Sequence, residues 1–484
     1  MEFVSPDPLP EETVMDYSLI GGGHAERGRR LFITGLGALV AALLYLGYTA
    51  NVDDIVHLVL GLSIFTLALV PSLLWARSGG SRFPVFETIL VLCANAYAIP
   101  LLNAREQLAG YPEEVITRAG LTVLVYQLSA ILVYAGTRGV PGRTPFWRES
   151  IITHQIERLI VYGLVLSTGY IWVSTFTDWI PQDAVSILRA AFYGVGILCT
   201  FVSTQRWGRG DMDQTGKIVL LCTLIPQLIF MSVGLLLIGA LSLIGIALLG
   251  YLSGGKRVPW LVIIVIFALL AVLHTGKTKM REKYWEEKQP PPTFTQLPAY
   301  FGEWIEYGMQ PTATGEKNVS RKLLERTSLM HILCLIINYT PERQDYLYGK
   351  TYTYVLPQLI PHLFWPAKPR SHIATYELAK YYGLQQEEDT EKTTIAFGLL
   401  TEAYANFGIF GAIFLGLFWG FCLKKLQIWS TFSPMFSFAG LLMILLTAWS
   451  FSAELTMAAW VSSFEQAVVA LLGIPMIIRA LFGL

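Results

Sequence analysis

Charge is what this chain has least of. Of its 484 residues only 14% are Asp, Glu, Lys or Arg, while 54% are hydrophobic and mean hydropathy is +0.50. A soluble domain carries about 25% charged residues, so the deficit excludes an ordinary soluble fold. Basic and acidic residues cancel to a net charge of +0, which argues against nucleic acid as a partner. Cysteine is also scarce. Cys93, Cys199, Cys222, Cys334 and Cys422 form neither a close pair nor a metal-like spacing, and Cys334 stands by itself in the polar region, which argues against a disulfide there. No DxD pair, HExxH or histidine cluster offers metal ligands. The acidic run Glu387, Glu388, Asp389 and Glu391 reads as a solvated loop. No Walker A or Rossmann glycine pattern occurs, which removes nucleotide chemistry.

What is present is an alternation of apolar stretches with short links. Residues 1–30 are polar and rich in Pro, Gly and acids, the composition of a disordered cytoplasmic tail rather than a cleavable signal. About twenty apolar residues cross a bilayer. On that length about twelve spans are expected, near 31–50, 55–75, 83–102, 119–137, 159–177, 185–204, 217–234, 236–252, 258–274, 406–423, 435–453 and 466–483. The run 217–252 is the ambiguous one, and a turn near Gly234 divides it. Charge supports that division. With Arg27, Arg29 and Arg30 inside, twelve spans also put Arg77, Arg82, Arg138, Arg143, Arg148, Arg206, Arg209, Lys256, Arg257, Lys424 and Lys425 inside. An eleven-span arrangement puts the last four outside. The fold class expected is an all-α polytopic membrane protein. Its parts are a tail (1–30), spans one to nine (31–274), a large outer loop (275–405) and spans ten to twelve (406–484).

The spans hold few ionisable residues: His57 and Glu87, with Arg189 and Glu454 near outer ends. No Asp/Glu/His relay and no inverted repeat points to a transporter. The long polar insertion, roughly Gly276 to Thr394, is therefore where chemistry is expected. It opens on a basic cluster, Lys277, Lys279, Arg281 and Lys283, with Lys288 beyond. Positive charge at an outer membrane exit runs against the topological bias and reads either as a place for anionic headgroups or as interfacial snorkelling. A polyproline turn follows at Gln289-Pro290-Pro291-Pro292. Residues 319–340 are expected to form a helix with Ser320 as N-cap, Arg321, Lys322 and Arg326 in its first turns and His331 further on. It is expected to lie in the interface or on the bundle.

Tyr346, Tyr348, Tyr352 and Tyr354 then fall within nine residues, followed by Phe364-Trp365-Pro366-Ala367-Lys368-Pro369-Arg370. Aromatic faces stack on sugar C–H surfaces and phenol hydroxyls meet sugar hydroxyls. An interfacial aromatic belt is the plain alternative. Glu402 and Asn406 are four apart and share a helix face at the outer mouth of the tenth span. A carboxylate there suits a general base or a structural salt bridge.

Together these segments resemble the Wzy-type oligosaccharide repeat-unit polymerases, the O-antigen polymerase group. The resemblance lies in GKTKMREKYW (276–285), Arg326 with Tyr339-Thr340-Pro341, Tyr348-Gly349-Lys350-Thr351-Tyr352, FWPAKPR (364–370), and TEAYANFG (401–408) with Gly411. It covers the last two-fifths of the chain; the first eight spans match in general character only, and the N-terminal tail is longer than such proteins need. The resemblance implies a GT-C-like membrane glycosyltransferase in the bacterial inner membrane, with the large loop periplasmic. It implies an undecaprenyl-pyrophosphate-linked glycan as donor, another lipid-linked repeat as acceptor, and no metal or nucleotide cofactor. A chain-length regulator and other polysaccharide assembly proteins are the partners it suggests, beside membrane lipid.

Departure of a pyrophosphate develops negative charge that guanidinium groups can hold bidentately. Arg281, Arg326 and Arg370 are the expected pyrophosphate ligands, with Lys277, Lys279 and Lys368 in support. Glu402 is the first candidate base and His331 the second. Tyr352, Tyr354 and Asn406 are the candidate sugar contacts. Two alternatives stay open: an O-antigen-ligase-like transferase with a different acceptor, and a non-enzymatic polysaccharide exporter or flippase.

Overall fold

The computed structural model describes residues 23–52, 54–78, 83–103, 108–140, 156–180, 182–235, 237–254, 258–286, 289–310, 328–360, 365, 367–386, 395–431, 433 and 437–473. Every regular element among them is helical. In chain order the longer ones are α1 (Gly23–Thr49), α2 (Ile55–Arg77), α3 (Val85–Asn103), α4 (Glu113–Gly136), α5 (Ile156–Phe176), α6 (Gln182–Arg209), α7 (Gln214–Ser232) and α8 (Leu237–Ser253). They continue with α9 (Trp260–Arg281), α10 (Leu297–Met309), α11 (Leu329–Tyr339), α12 (Ile373–Tyr381), α13 (Gly398–Trp429), α14 (Phe438–Trp449) and α15 (Met457–Val468).

Each of the first eleven expected spans overlaps one of these helices; the twelfth, 466–483, lies largely outside the described residues. Eight of the helices are long and apolar enough to cross a membrane. The chain is thus a polytopic membrane protein, all-helical among the described residues. The doubtful run 217–252 is two helices, α7 and α8. They are separated by a turn in which Leu235 takes the left-handed φ of 57°.

Local chemistry sets the helix ends. Asp54 accepts the Val56 N–H at 2.8 Å and Asp213 the Gly216 N–H at 2.8 Å, so α2 and α7 start on acidic caps. Some hydroxyls inside spans bond to the preceding turn: Thr66 donates to Leu62 O and Thr122 to Arg118 O, each at 2.7 Å. Helices approach where side chains vanish. A Cβ on Gly416 would meet Tyr126 O at 2.5 Å, and one on Gly420 would meet Ala130 O at 2.4 Å. This small-xxx-small face brings α13 against α4.

Helix direction sorts the polar groups to two ends. Arg77, Arg138, Arg206, Arg209, Lys424 and Lys425 lie at one end, where Lys425 donates to Arg138 O at 3.1 Å and Tyr134 to Gln427 at 2.7 Å. The opposite end joins the close of α3, the start of α4, the start of α13 and the link before α15. Asn51 N donates there to Leu102 O at 2.8 Å and Gly398 N to Glu454 O at 3.0 Å.

The insertion does not stand apart from the bundle. Its helix α11 buries Met330, Leu333, Cys334 and Ile336 completely, against α4 and α13. The N-cap of α11 is Ser328, whose hydroxyl accepts the His331 N–H at 3.3 Å. The expected cap Ser320, with Arg321, Lys322 and Arg326, lies outside the described residues.

Candidate functional site

The site is built on a break in α13. Phe407 (φ −142°, ψ 15°) and Gly408 (φ 61°, ψ −145°) leave helical geometry within an otherwise continuous 32-residue helix. A break frees carbonyls that must find new donors. The loop Tyr346–Lys350 supplies them. Leu347 N donates to Ala405 O at 3.0 Å and Tyr348 N to Asn406 O at 3.1 Å. The Asn406 side chain completes the seam, with Oδ1 accepting from Gly349 N at 3.0 Å and Nδ2 donating to Thr351 Oγ1 and Glu402 O, both at 2.8 Å. Tyr346 covers Gly408, where a Cβ would sit 2.7 Å from the phenol oxygen.

Glu402 lies one turn before the break and has no exposed surface. Its Oε2 accepts the Met457 N–H at 2.6 Å. Met457 is the first residue of α15, so the carboxylate takes an otherwise orphaned donor at a positive helix end. Thr351 lies against the carboxylate, yet Oε1 makes no hydrogen bond of normal geometry. Tyr352 packs beside them, its ring stacked on Phe407 at 6.3 Å. Burial first, and then the negative charge of Glu402, push the Tyr352 phenol above its ordinary range, so it stays protonated and available as a donor.

Sequence-expected residues divide into three groups. Glu402, Asn406 and Tyr352 come together. Asn406 is fully buried with both amide atoms engaged in the seam, which leaves it a holder of the loop. Tyr354 and His331 flank that centre. Tyr354 neighbours Glu377, which pairs with Lys350 at 2.6 Å, while His331 Nε2 lies 3.3 Å from Tyr111 OH. Lys368 staples its own loop, donating to Ile360 O at 2.8 Å and Gln358 O at 3.4 Å. Burial holds its ammonium below the usual lysine range against the pull of Glu465. Arg370 is exposed just before α12.

The third group sits elsewhere. Arg281 is buried where α9 meets the α7–α8 turn, its Nη2 donating to Leu235 O at 2.9 Å and its guanidinium 4.3 Å from the Trp285 ring centroid. Lys279 donates to Gln310 at 3.2 Å beyond α10, and Lys277 is half-buried on α9. Of the three, Lys279 joins the α9–α10 packing and Arg281 the α7–α8 turn.

Reading from residues missed Thr351, the Met457 N–H and the helix break. The one local signal of the break was Gly408 directly after Asn406 and Phe407. A lone glycine in an apolar run is common in spans.

A family model described as a domain of unknown function, DUF8712, matches residues 233–432. The match starts in the α7–α8 turn and ends just past α13, so it takes in Arg281, the insertion and the broken helix with Glu402. No curated protein and no solved structure matches the chain.

Proposed function

We propose that this chain is a membrane glycosyltransferase of the kind the Wzy-type polymerases represent. It would move a glycan from an undecaprenyl-pyrophosphate-linked donor to the terminal sugar of a second lipid-linked repeat. The observation that carries the reading is Glu402: a wholly buried carboxylate with Oε2 fixed by a helix N–H and Oε1 without a hydrogen bond of normal geometry, beside Thr351 and Tyr352. A carboxylate with one oxygen fixed and the other facing only a hydroxyl has the form of a general base.

In this reading Oε1 takes the proton of the acceptor hydroxyl. The hydroxyl oxygen bonds to the anomeric carbon as the anomeric carbon–phosphate oxygen bond breaks. The electron pair leaves with the lipid pyrophosphate. Lys368 and Arg370, on the loop that follows the tyrosines, are the candidate partners for that developing charge. The reaction end lies opposite the basic helix ends, which the positive-inside rule makes periplasmic in a bacterial inner membrane.

The test is Glu402→Gln in purified protein, with lipid-linked repeats as donor and acceptor. Transfer per folded molecule is expected to fall about 10²–10⁴-fold while the fold persists, since Gln keeps an oxygen for the Met457 N–H. Turnover near wild type would remove Glu402 from the chemistry.

The broken helix favours one other reading. Discontinuous spans with a buried carboxylate also bind coupling ions in transporters. A lipid-linked glycan exporter or flippase would move the same substrate between leaflets of proteoliposomes without making a glycosidic bond. Formation of longer glycans by the isolated protein separates the two.

A further inference from the structure

The basic residues that open the insertion alternate in sequence, at 277, 279, 281 and 283. A helix of 3.6 residues per turn separates them onto two faces. Lys279 and Lys283 turn toward α10. Lys279 donates to Gln310, and Lys283 pairs with Glu303, which Tyr307 also bonds. Their charges are answered inside the protein.

The other face is different. His274, Lys277 and Arg281 fall at i, i+3 and i+7, so they line one stripe of α9. The charges of Lys277 and Arg281 act on each other and on the His274 imidazole. Among the described residues no carboxylate pairs with any of the three. Arg281 is only 6% exposed and its Nε has no hydrogen-bond partner. Its position is set by Leu235 O, from the tight α7–α8 turn, and by the Trp285 ring.

Snorkelling explains long cations that reach for water; it does not explain a guanidinium folded under a neighbouring turn. The helix C-terminus contributes roughly 0.3–1 kcal/mol toward an exposed cation. A buried one without a counter-charge costs several kcal/mol. An anion at this stripe supplies what the protein omits.

The surroundings select the anion. The apolar part of α9 is the least covered of the spans together with α1, with 11% of its window buried against 50% for α13. Leu261, Val262, Ile264, Val265 and Phe267 are all more than half exposed. Acyl chains lying along that surface bring a phosphate to the end of the helix, where the three side chains sit. A phosphodiester headgroup accepts hydrogen bonds from both a guanidinium and an ammonium.

We propose that His274, Lys277 and Arg281 form a binding site for the phosphate of an anionic bulk phospholipid, held on the lipid-facing side of α9 apart from the Glu402 centre. The proposal goes beyond the transferase reading and does not depend on it.

Native mass spectrometry of the detergent-released full chain tests it, with phosphatidylglycerol, phosphatidylcholine and undecaprenyl phosphate as separate probes. Phosphatidylglycerol is expected to stay bound in preference to phosphatidylcholine. Lys277→Gln should weaken that retention about fivefold, the worth of roughly 1 kcal/mol per cation near a lipid surface, and Lys277→Glu should abolish it. Both variants leave the Arg281–Leu235 bond in place, so folding is not at stake as it is for Arg281→Gln. Lys217→Gln, at the start of α7, should change nothing. Equal retention of the two phospholipids, or wild-type retention in both Lys277 variants, overturns the site. Stronger retention of undecaprenyl phosphate, lost in the same variants, overturns the bulk-lipid assignment and gives the stripe to the donor.

Discussion

Asn406 donates a 2.8 Å hydrogen bond to Thr351, and through it the interrupted helix α13 is tied to the tyrosine-rich loop. The same amide group donates to Glu402 O, and its oxygen accepts from Gly349 N. One fully buried side chain therefore holds the loop, the break and the carboxylate-bearing turn in a single arrangement.

Removing it should be felt first as stability. Asn406→Leu keeps the volume but strands Gly349 N–H, and each unsatisfied buried group costs about 1–3 kcal/mol. Asn406→Asp keeps the acceptor for Gly349 N and loses the amide donor. Thermal unfolding in detergent should rank wild type above Asp and Asp above or near Leu, with faster proteolysis of the 346–354 loop in both. A melting profile unchanged by Asn406→Leu would mean that the seam does not hold the loop.

Gly408 makes a sharper comparison. Its φ of 61° with ψ of −145° is a region used almost only by glycine, and a Cβ would meet Tyr346. The backbone strain alone is worth about 1–3 kcal/mol. Gly383 also has a positive φ, 65°, but open space around it. Gly408→Ala is expected to cost clearly more stability than Gly383→Ala in parallel denaturation, with a further loss of activity as the loop shifts. Equal costs would show that the Tyr346 contact is soft.

The spans were legible because membrane length and charge bias are properties of contiguous sequence. Glu402 and Asn406 were legible as a pair because four residues make one helical turn, and Asn406 Nδ2 does reach Glu402 O. Long-range placement was not. Nothing local says that Met457, 55 residues on, offers its N–H to Glu402, or that Thr351 arrives from the loop. The basic cluster divides for a periodic reason. Alternate spacing looks like one patch on paper, yet the helix sends Lys277 and Arg281 one way and Lys279 and Lys283 the other. Arg281 then lies against Leu235, a contact that requires the α7–α8 turn to exist.

His372 gives the pH dependence. It sits at the start of α12, and burial, reinforced by the positive charge of Arg189, holds its imidazole below the ordinary value. A histidine whose folded pKa is depressed favours the fold when neutral. Its contribution is full above about 6.5, the unfolded value, and is lost as pH falls through the folded pKa. Unfolding midpoints measured from pH 8 to 5 should therefore decline on the acid side, and His372→Gln should flatten that decline. A variant with the same acid limb as wild type would place the sensitivity elsewhere.

Tyr348 separates a ligand-facing ring from a structural one. Its backbone is left-handed, with φ of 46°, although it carries a bulky side chain. That geometry is worth roughly 1–2 kcal/mol against a non-glycine residue. The ring repays little of it within the protein, being 74% exposed and edge-on to Tyr346 at 6.2 Å. Tyr348→Gly relieves the strain, gains freedom in the unfolded chain, and keeps the N–H that bonds Asn406 O. These effects oppose one another at about 1 kcal/mol each, so the melting temperature should hardly move. If the ring stacks on a sugar, transfer should fall about three- to tenfold, as expected for an aromatic contact worth roughly 0.5–1.5 kcal/mol, and Tyr348→Phe should restore most of it. Unchanged transfer in Tyr348→Gly, with stability also unchanged, would make the ring an interfacial anchor and shift sugar recognition to Tyr352 and Tyr354.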